Sequence, residues 1–249
     1  MFWQRLFGRC IYRSDLGIQI CQNLNYRWLT INSDAIQTLV YRKDPTIPIL
    51  HYMQMMMLPI MLQPGDCCML GLGGGGMVHG LLPYLGTHRL HVVEHCAEII
   101  QISQQYFFLK NQPPLTIIQA DATHFIAEAK RQYQHILIDL FDADAFPKQC
   151  HNETFFLQCQ NRLLPGGVLA VNLANPIEQK PIFEIIKHQF RGKTILFPIK
   201  NCANIVILAY NGNSINPLLN SIKTKLSYSK LIWDAEWGYL AKLTTLTRV

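Results

Sequence analysis

The residues best equipped for chemistry stand in HILIDLFDADAFP, residues 135–147, where Asp139, Asp142 and Asp144 follow directly on a buried, strand-like run. The chain has only sixteen acidic residues, so three carboxylates in one short stretch are not a generic charged face. Like charges held this close cost energy unless a cation or a proton offsets them, and the ammonium of an amine substrate is such a cation. An Asx-rich loop that caps the next helix explains one of the three comfortably, but not all of them. Two more acids end strand-like runs upstream. Glu94 closes LHVVE, where an acidic residue can accept from both hydroxyls of a ribose; a solvated strand end is the plainer alternative. Asp121, in QADATHF, can accept from an adenine amino group, N-cap the following helix, or do both. Residues 69–76, MLGLGGGG, end a strand in a glycine-only turn that leads into MVHGLLPYL. Such a turn lets backbone N–H groups and a helix N-terminus approach a ligand that a Cβ would hold away. Gly71, Gly73 and Gly76 fit G-x-G-x-x-G, a spacing shared by NAD-binding and nucleoside-binding folds.

These residues need a frame, and residues 65–210 supply one. Strand-like runs CCMLGL, LHVVE, LTIIQA, HILIDL and GVLAVNL alternate with helical stretches such as AEIIQISQQYFFL and THFIAEAKR. Near-continuous apolar strands alternating with helices predict an α/β fold with a parallel sheet covered on both faces. Ligands of open α/β sheets sit beyond the carboxyl ends of the strands, so Gly71, Glu94, Asp121 and Asp139 should line one crevice. NRLLPGGVLAVNL adds a Pro-Gly-Gly turn between an amphipathic helix and a buried strand, an element that dehydrogenases do not need but nucleoside-dependent transferases usually have. Ahead of this frame, residues 17–41 show short alternating apolar runs separated by QNLNY and NSD, the pattern of an antiparallel hairpin or meander. Pro45 and Pro48 break the chain, and ILHYMQMMMLPIML reads as a helix until Pro59 and Pro64 punctuate it. The division expected is 1–64 for the β-meander and linking helix, and 65–249 for the catalytic part.

At 249 residues, 49% hydrophobic and 15% charged, the chain can bury a sizeable core. Its net charge of +6 comes from scattered Lys and Arg, with no basic run interleaved with aromatics, so no nucleic-acid partner is expected. The eight cysteines contain no C-x-x-C pair, which favours a reduced, cytoplasmic protein. MFWQRLFGRC lacks a continuous apolar leader, and no stretch approaches the ~20 apolar residues of a membrane span. His91 and His95 flank a strand without the register of a metal pair, so no metal is expected.

In order, GLGGGG, VVEHC, QADA, DLFDADAFP and LLPGGVLAVNL resemble the polyamine aminopropyltransferases, the spermidine synthase family. The core of that family is the Rossmann-like, class I S-adenosylmethionine-dependent methyltransferase fold. The resemblance therefore implies a mostly parallel seven-stranded sheet with helices on both faces and a small N-terminal antiparallel β-domain. Gln37 and Tyr52-Met53-Gln54-Met55 look like that β-domain and the helix after it. The resemblance implies that Glu94 binds the ribose and Asp121 the adenine of decarboxylated S-adenosylmethionine, with Gly71, Gly73, Gly74 and Ala122 in the same site. Asp139 would be the base for the amine, and Gln37, Tyr52, Asp142 and Asp144 would hold a diamine such as putrescine. It also implies a homodimer. The family's glycine loop usually reads GGGDGG, and Gly74 stands at its aspartate; D-S-S-D-P is replaced by DLFDADAFP. Both departures resemble a less characterised, synthase-like branch. A methyltransferase using intact S-adenosylmethionine, and a catalytically silent nucleoside-binding homologue, are the alternatives.

Overall fold

A computed structural model describes residues 8–141, 145–225 and 229–243. Asp142 and Asp144, both expected at the amine end of the site, lie outside the described residues.

The alternating runs near the N-terminus form a meander of four antiparallel strands in chain order: β1 (Arg9–Arg13), β2 (Ile18–Gln22), β3 (Tyr26–Ile31) and β4 (Ile36–Tyr41). β1 is one strand more than the 17–41 pattern predicts. An Asx turn joins β2 to β3: Asn23 Oδ1 accepts from the N–H groups of Asn25 and Tyr26, a geometry that competes well with extended backbone. Tyr12, Ile20, Leu29 and Thr38 face one another in a row across the sheet. That row docks the meander onto the rest of the chain. The Tyr12 hydroxyl donates to Glu98 at 2.6 Å, its ring packs 5.3 Å from Tyr106, and Thr38 Oγ1 accepts from the Gly74 N–H at 2.8 Å.

Helix α1 (Met53–Leu62) runs through Pro59, where the sequence pattern predicts a stop. Only one helical hydrogen bond is forfeited there. Burial outweighs it, because Met53, Met55, Met56, Met57, Leu58 and Ile60 are all buried; a helix apolar at every position but the exposed Gln54 belongs in a core.

The frame then alternates as expected: β5 (Cys67–Leu70), α2 (Gly76–Leu85), β6 (Leu90–Glu94), α3 (Ala97–Tyr106), β7 (Leu115–Gln119), α4 (Ala122–Glu128), β8 (Tyr133–Ile138), α5 (Glu153–Asn161), β9 (Leu163–Leu173), α6 (Pro176–Gln189), β10 (Thr194–Pro198) and β11 (Ile205–Asn211). After α7 (Asn216–Lys225) come β12 (Ser229–Asp234) and β13 (Gly238–Leu243). The sheet order is β12-β13-β10-β11-β9-β8-β5-β6-β7. Strands β7, β6, β5, β8 and β9 are parallel, and β11 returns antiparallel between β9 and β10. The seven strands expected are β5 to β11. The terminal hairpin adds two, turned by Asp234 Oδ1, which accepts from the N–H groups of Glu236 and Trp237. Chain order reverses at β5, between β6 and β8, which opens the crevice beyond the carboxyl ends of these strands.

At the opposite end of β8, His135 is buried, with Nε2 donating to the Gln63 carbonyl at 2.6 Å and Nδ1 lacking a hydrogen-bond partner among the described residues. Burial lowers its pKa to about 4, against the opposing effect of the Gln63 bond. The unfolded chain takes up this proton near pH 6.5 and the native one does not. His135 therefore withdraws stability as the pH falls from about 6.5 towards 4, by on the order of 2–4 kcal/mol, and withdraws nothing above that window. Urea unfolding at pH 7, 5.5 and 4.5 should show a shallower acid loss in His135→Gln, which keeps a donor for Gln63; equal slopes in parent and variant would contradict this.

Candidate active site

The crevice is built from backbone first. Gly71 N–H donates to the Val93 carbonyl and Asp139 N–H to that of Leu70, each at 2.9 Å, so the ends of β5, β6 and β8 are tied together. Gly71 has φ +96°, and a Cβ there would stand 2.2 Å from the Asp139 carbonyl oxygen. Glycine is therefore required at this position twice over, by backbone angle and by close approach.

Glu94 follows from that stitching. At the end of β6 it is 8% exposed; Oε2 accepts from the Leu72 N–H at 3.1 Å and Oε1 from the Cys96 N–H at 3.0 Å. Exposed His95 brings Nδ1 to 3.2 Å from Oε1. The carboxylate thus holds the glycine turn to the start of α3 while facing the cavity.

Asp121 realises its capping role. It is the N-cap of α4, with Oδ1 accepting from Thr123 N–H at 2.8 Å, from His124 N–H at 3.1 Å, and from the Thr123 hydroxyl. Partial burial works to raise its pKa, but these hydrogen bonds outweigh it and hold the carboxyl below the usual range. Asp121 is thus a stable acceptor at the cavity wall.

Asp139 is the most constrained of the acids. Tyr52, immediately before α1, donates from its hydroxyl to Oδ2 at 3.1 Å, and Asn172 of β9 donates from Nδ2 to Oδ1 at 2.8 Å. Burial raises the Asp139 pKa, and the two hydrogen bonds oppose the rise. The Tyr52 phenol is itself pushed well up, first by burial and then by the Asp139 charge, so it serves as a donor and not as a proton acceptor.

One cavity of about 330 Å³ joins these groups. Gln37, Tyr52, Gly71, Gly73, Glu94, Asp121, Ala122 and Asp139 all line it. Gly74 does not: its N–H is taken by Thr38, and a Cβ there would meet Thr38 Cγ2 at 2.9 Å and the Phe107 ring at 3.0 Å. A side chain at this position would face Thr38 of the meander and Phe107 just after α3. Sequence reasoning missed Thr38 and Asn172. Thr38 carries no local signal, whereas Asn172 is a lone amide inside the apolar run GVLAVNL, which is such a signal.

Strand order and the glycine turn at the end of β5 are those of the methyltransferase fold. More narrowly, the chain belongs to the spermine/spermidine synthase domain family, whose model matches residues 50–227. It is 24% identical over 213 residues to the polyamine aminopropyltransferase of Neisseria meningitidis serogroup A, covering 84% of this chain and 81% of that one. Among solved structures it is similar to a spermidine synthase in complex with the transition state analogue AdoDATO, with TM-score 0.65 and 20% identity over 83% of this chain and 75% of the other. A probable spermidine synthase from Corynebacterium glutamicum gives TM-score 0.67 and 15% identity over 98% and 99%.

Proposed function

We propose that this protein is an aminopropyltransferase of polyamine biosynthesis, moving an aminopropyl group from decarboxylated S-adenosylmethionine to a diamine such as putrescine. The observation that carries the reading is the single cavity in which a tyrosine-bonded carboxylate, Asp139, faces a glycine turn braced by Glu94. Glu94 takes the ribose, and Asp121 with Ala122 takes the adenine. Gln37, Tyr52, Asp142 and Asp144 hold the amine. The amine nitrogen attacks the carbon next to the sulfonium; the C–N bond forms, the C–S bond breaks, methylthioadenosine leaves, and Asp139 takes the proton. A sulfonium carbon is already activated, so alignment and a deprotonated amine supply most of the catalysis. All eight cysteines are free thiols, in keeping with a reducing, cytoplasmic setting, and likeness to the family favours a homodimer. Incubation with decarboxylated S-adenosylmethionine and a panel of diamines, scored for methylthioadenosine release, tests the reading; no release with any amine would reject it.

The second reading, methyl transfer from the intact cofactor, is favoured by one observation: position 74 carries no carboxylate. Decarboxylated S-adenosylmethionine ends in an ammonium, and a site specific for it gains from an acid that also repels the carboxylate of the ordinary cofactor. Poor discrimination is therefore expected, with the two donors binding within about tenfold of each other, a difference under 1.4 kcal/mol. A Cβ at Gly74 would meet Thr38 Cγ2 at 2.9 Å and the Phe107 ring at 3.0 Å and would not enter the cavity, so Gly74→Asp alone is not expected to restore a preference for the decarboxylated donor. Competition binding of the two donors to the parent makes the measurement. A parent already strongly selective for the decarboxylated donor would refute the expectation.

A further inference from the structure

Asn172 is fully buried in β9, between Val171 and Leu173, where an amide without partners would be costly. Both its ends are used. Nδ2 donates to Asp139 Oδ1 at 2.8 Å, and Oδ1 accepts from Asn204 Nδ2 at 2.9 Å. An ionised carboxylate only accepts and an amide nitrogen only donates, so this sequence of partners admits one orientation of the Asn172 amide. Asn204 stands just before β11, whose first residue, Ile205, is paired with Leu173 of β9. Its loop is anchored on several sides. The Asn204 carbonyl accepts from Ile199 N–H at 3.0 Å, the Ala203 carbonyl from Gln179 Nε2 of α6 at 2.6 Å, and His51 Nδ1 reaches the Lys200 carbonyl at 3.2 Å.

We propose that Asn172, oriented by Asn204, is a positioning residue for the base: it ties up Oδ1 of Asp139, leaves Oδ2 as the oxygen shared between Tyr52 and the incoming amine, and keeps the carboxylate ionised. The proposal rests on the reading that Asp139 takes the amine's proton. Its force comes from what surrounds Asp139. Tyr52 faces it from the start of α1, Asn172 from β9, and the Gly71 backbone from the turn after β5. Among the described residues the Cys202 thiol also stands near the Tyr52 phenol. Among the described residues no cation pairs with Asp139. Its ionisation is held against burial by two neutral donors, so removing either moves its titration upward.

The test compares Asn172→Leu, which fills the site but donates nothing, with Asn204→Ala, which removes only the group that orients Asn172. Asp139 carboxyl titration is followed by carbon-13 NMR, and the pH profile of single-turnover methylthioadenosine release is recorded alongside. The expected result is an upward move of the Asp139 midpoint, and of the acidic limb of the rate profile, by about one pH unit or more in Asn172→Leu and by less in Asn204→Ala. Methylthioadenosine affinity should stay within about twofold of the parent. If Asn172→Leu does not fold, Asn204→Ala alone carries the comparison, since Asn204 is only partly buried. An unmoved Asp139 midpoint in every folded variant would overturn the proposal. A parent that releases no methylthioadenosine with any amine would reject aminopropyl transfer instead, and the carboxyl titration would still decide whether Asn172 governs Asp139.

Discussion

Asp139→Asn is expected to lower the transfer rate by about two to four orders of magnitude while leaving methylthioadenosine binding nearly intact. The substitution suits the site. An asparagine oxygen can still accept from Asn172 Nδ2, and its amide nitrogen can donate to the Tyr52 oxygen, reversing the parent's bond, so packing survives while the proton acceptor is lost. Glu94 and Asp121 belong to other strand ends and do not depend on it. Single-turnover rates and calorimetric titration, run on one preparation, separate the two effects; turnover equal to the parent's would rule out the assignment. Linkage gives an independent reading. The folded pKa of Asp139 is raised above its unfolded value by burial, so the native state is the one that binds the extra proton and stability falls as the pH rises through that window. At neutral pH the parent therefore carries a strained charge that the variant lacks. Asp139→Asn should unfold at a higher temperature than the parent at pH 7 and lose that advantage below the ordinary carboxylate range. A slower, more stable enzyme is what a group kept for chemistry predicts.

How much of this was legible from the sequence depends on which force set each feature. The frame from β5 to β9 was readable because buried parallel strands must be apolar along their whole length and the helices between them must not be. The acids at strand ends were readable for the same reason, as polar residues at the edge of runs that tolerate none. Two things were not. Helix α1 continues through Pro59 because tertiary burial overrides a local breaker, and that burial is a property of the assembled core. Gly74 fits a family's aspartate position in the alignment of motifs, yet its direction is set by Thr38, a residue of the separate meander and far away in the chain. Asn172 could have been found, since an amide inside an apolar strand demands a buried partner. Its partners, Asp139 and Asn204, lie on neighbouring strand ends and become visible only once strand order is known.

Glu94→Ala should weaken methylthioadenosine binding tenfold to a hundredfold, a loss on the order of 1.5–3 kcal/mol for a charge-assisted contact. The geometry explains why the isosteric Glu94→Gln should do little better. A carboxylate offers about four acceptor positions. Two are occupied by the N–H groups of Leu72 and Cys96, which approach different oxygens, and with the exposed His95 ring displaced from Oε1 the remaining capacity suits the two hydroxyls of the proposed ribose. A glutamine amide has only one oxygen. Whichever way it turns, its NH₂ meets a backbone N–H donor, so either the glycine turn or the start of α3 loses its anchor along with a ribose contact. Charge reduction alone would predict a mild Gln variant and a severe Ala variant; the double-anchor geometry predicts two severe ones. The loss should appear mainly in nucleoside affinity, with the rate at saturating nucleoside recovering towards the parent's, because Asp139 and Tyr52 are untouched. Calorimetric titration of both variants with methylthioadenosine makes the measurement. A Gln variant that binds like the parent would remove the anchoring role, and an Ala variant that does so would remove the ribose role as well.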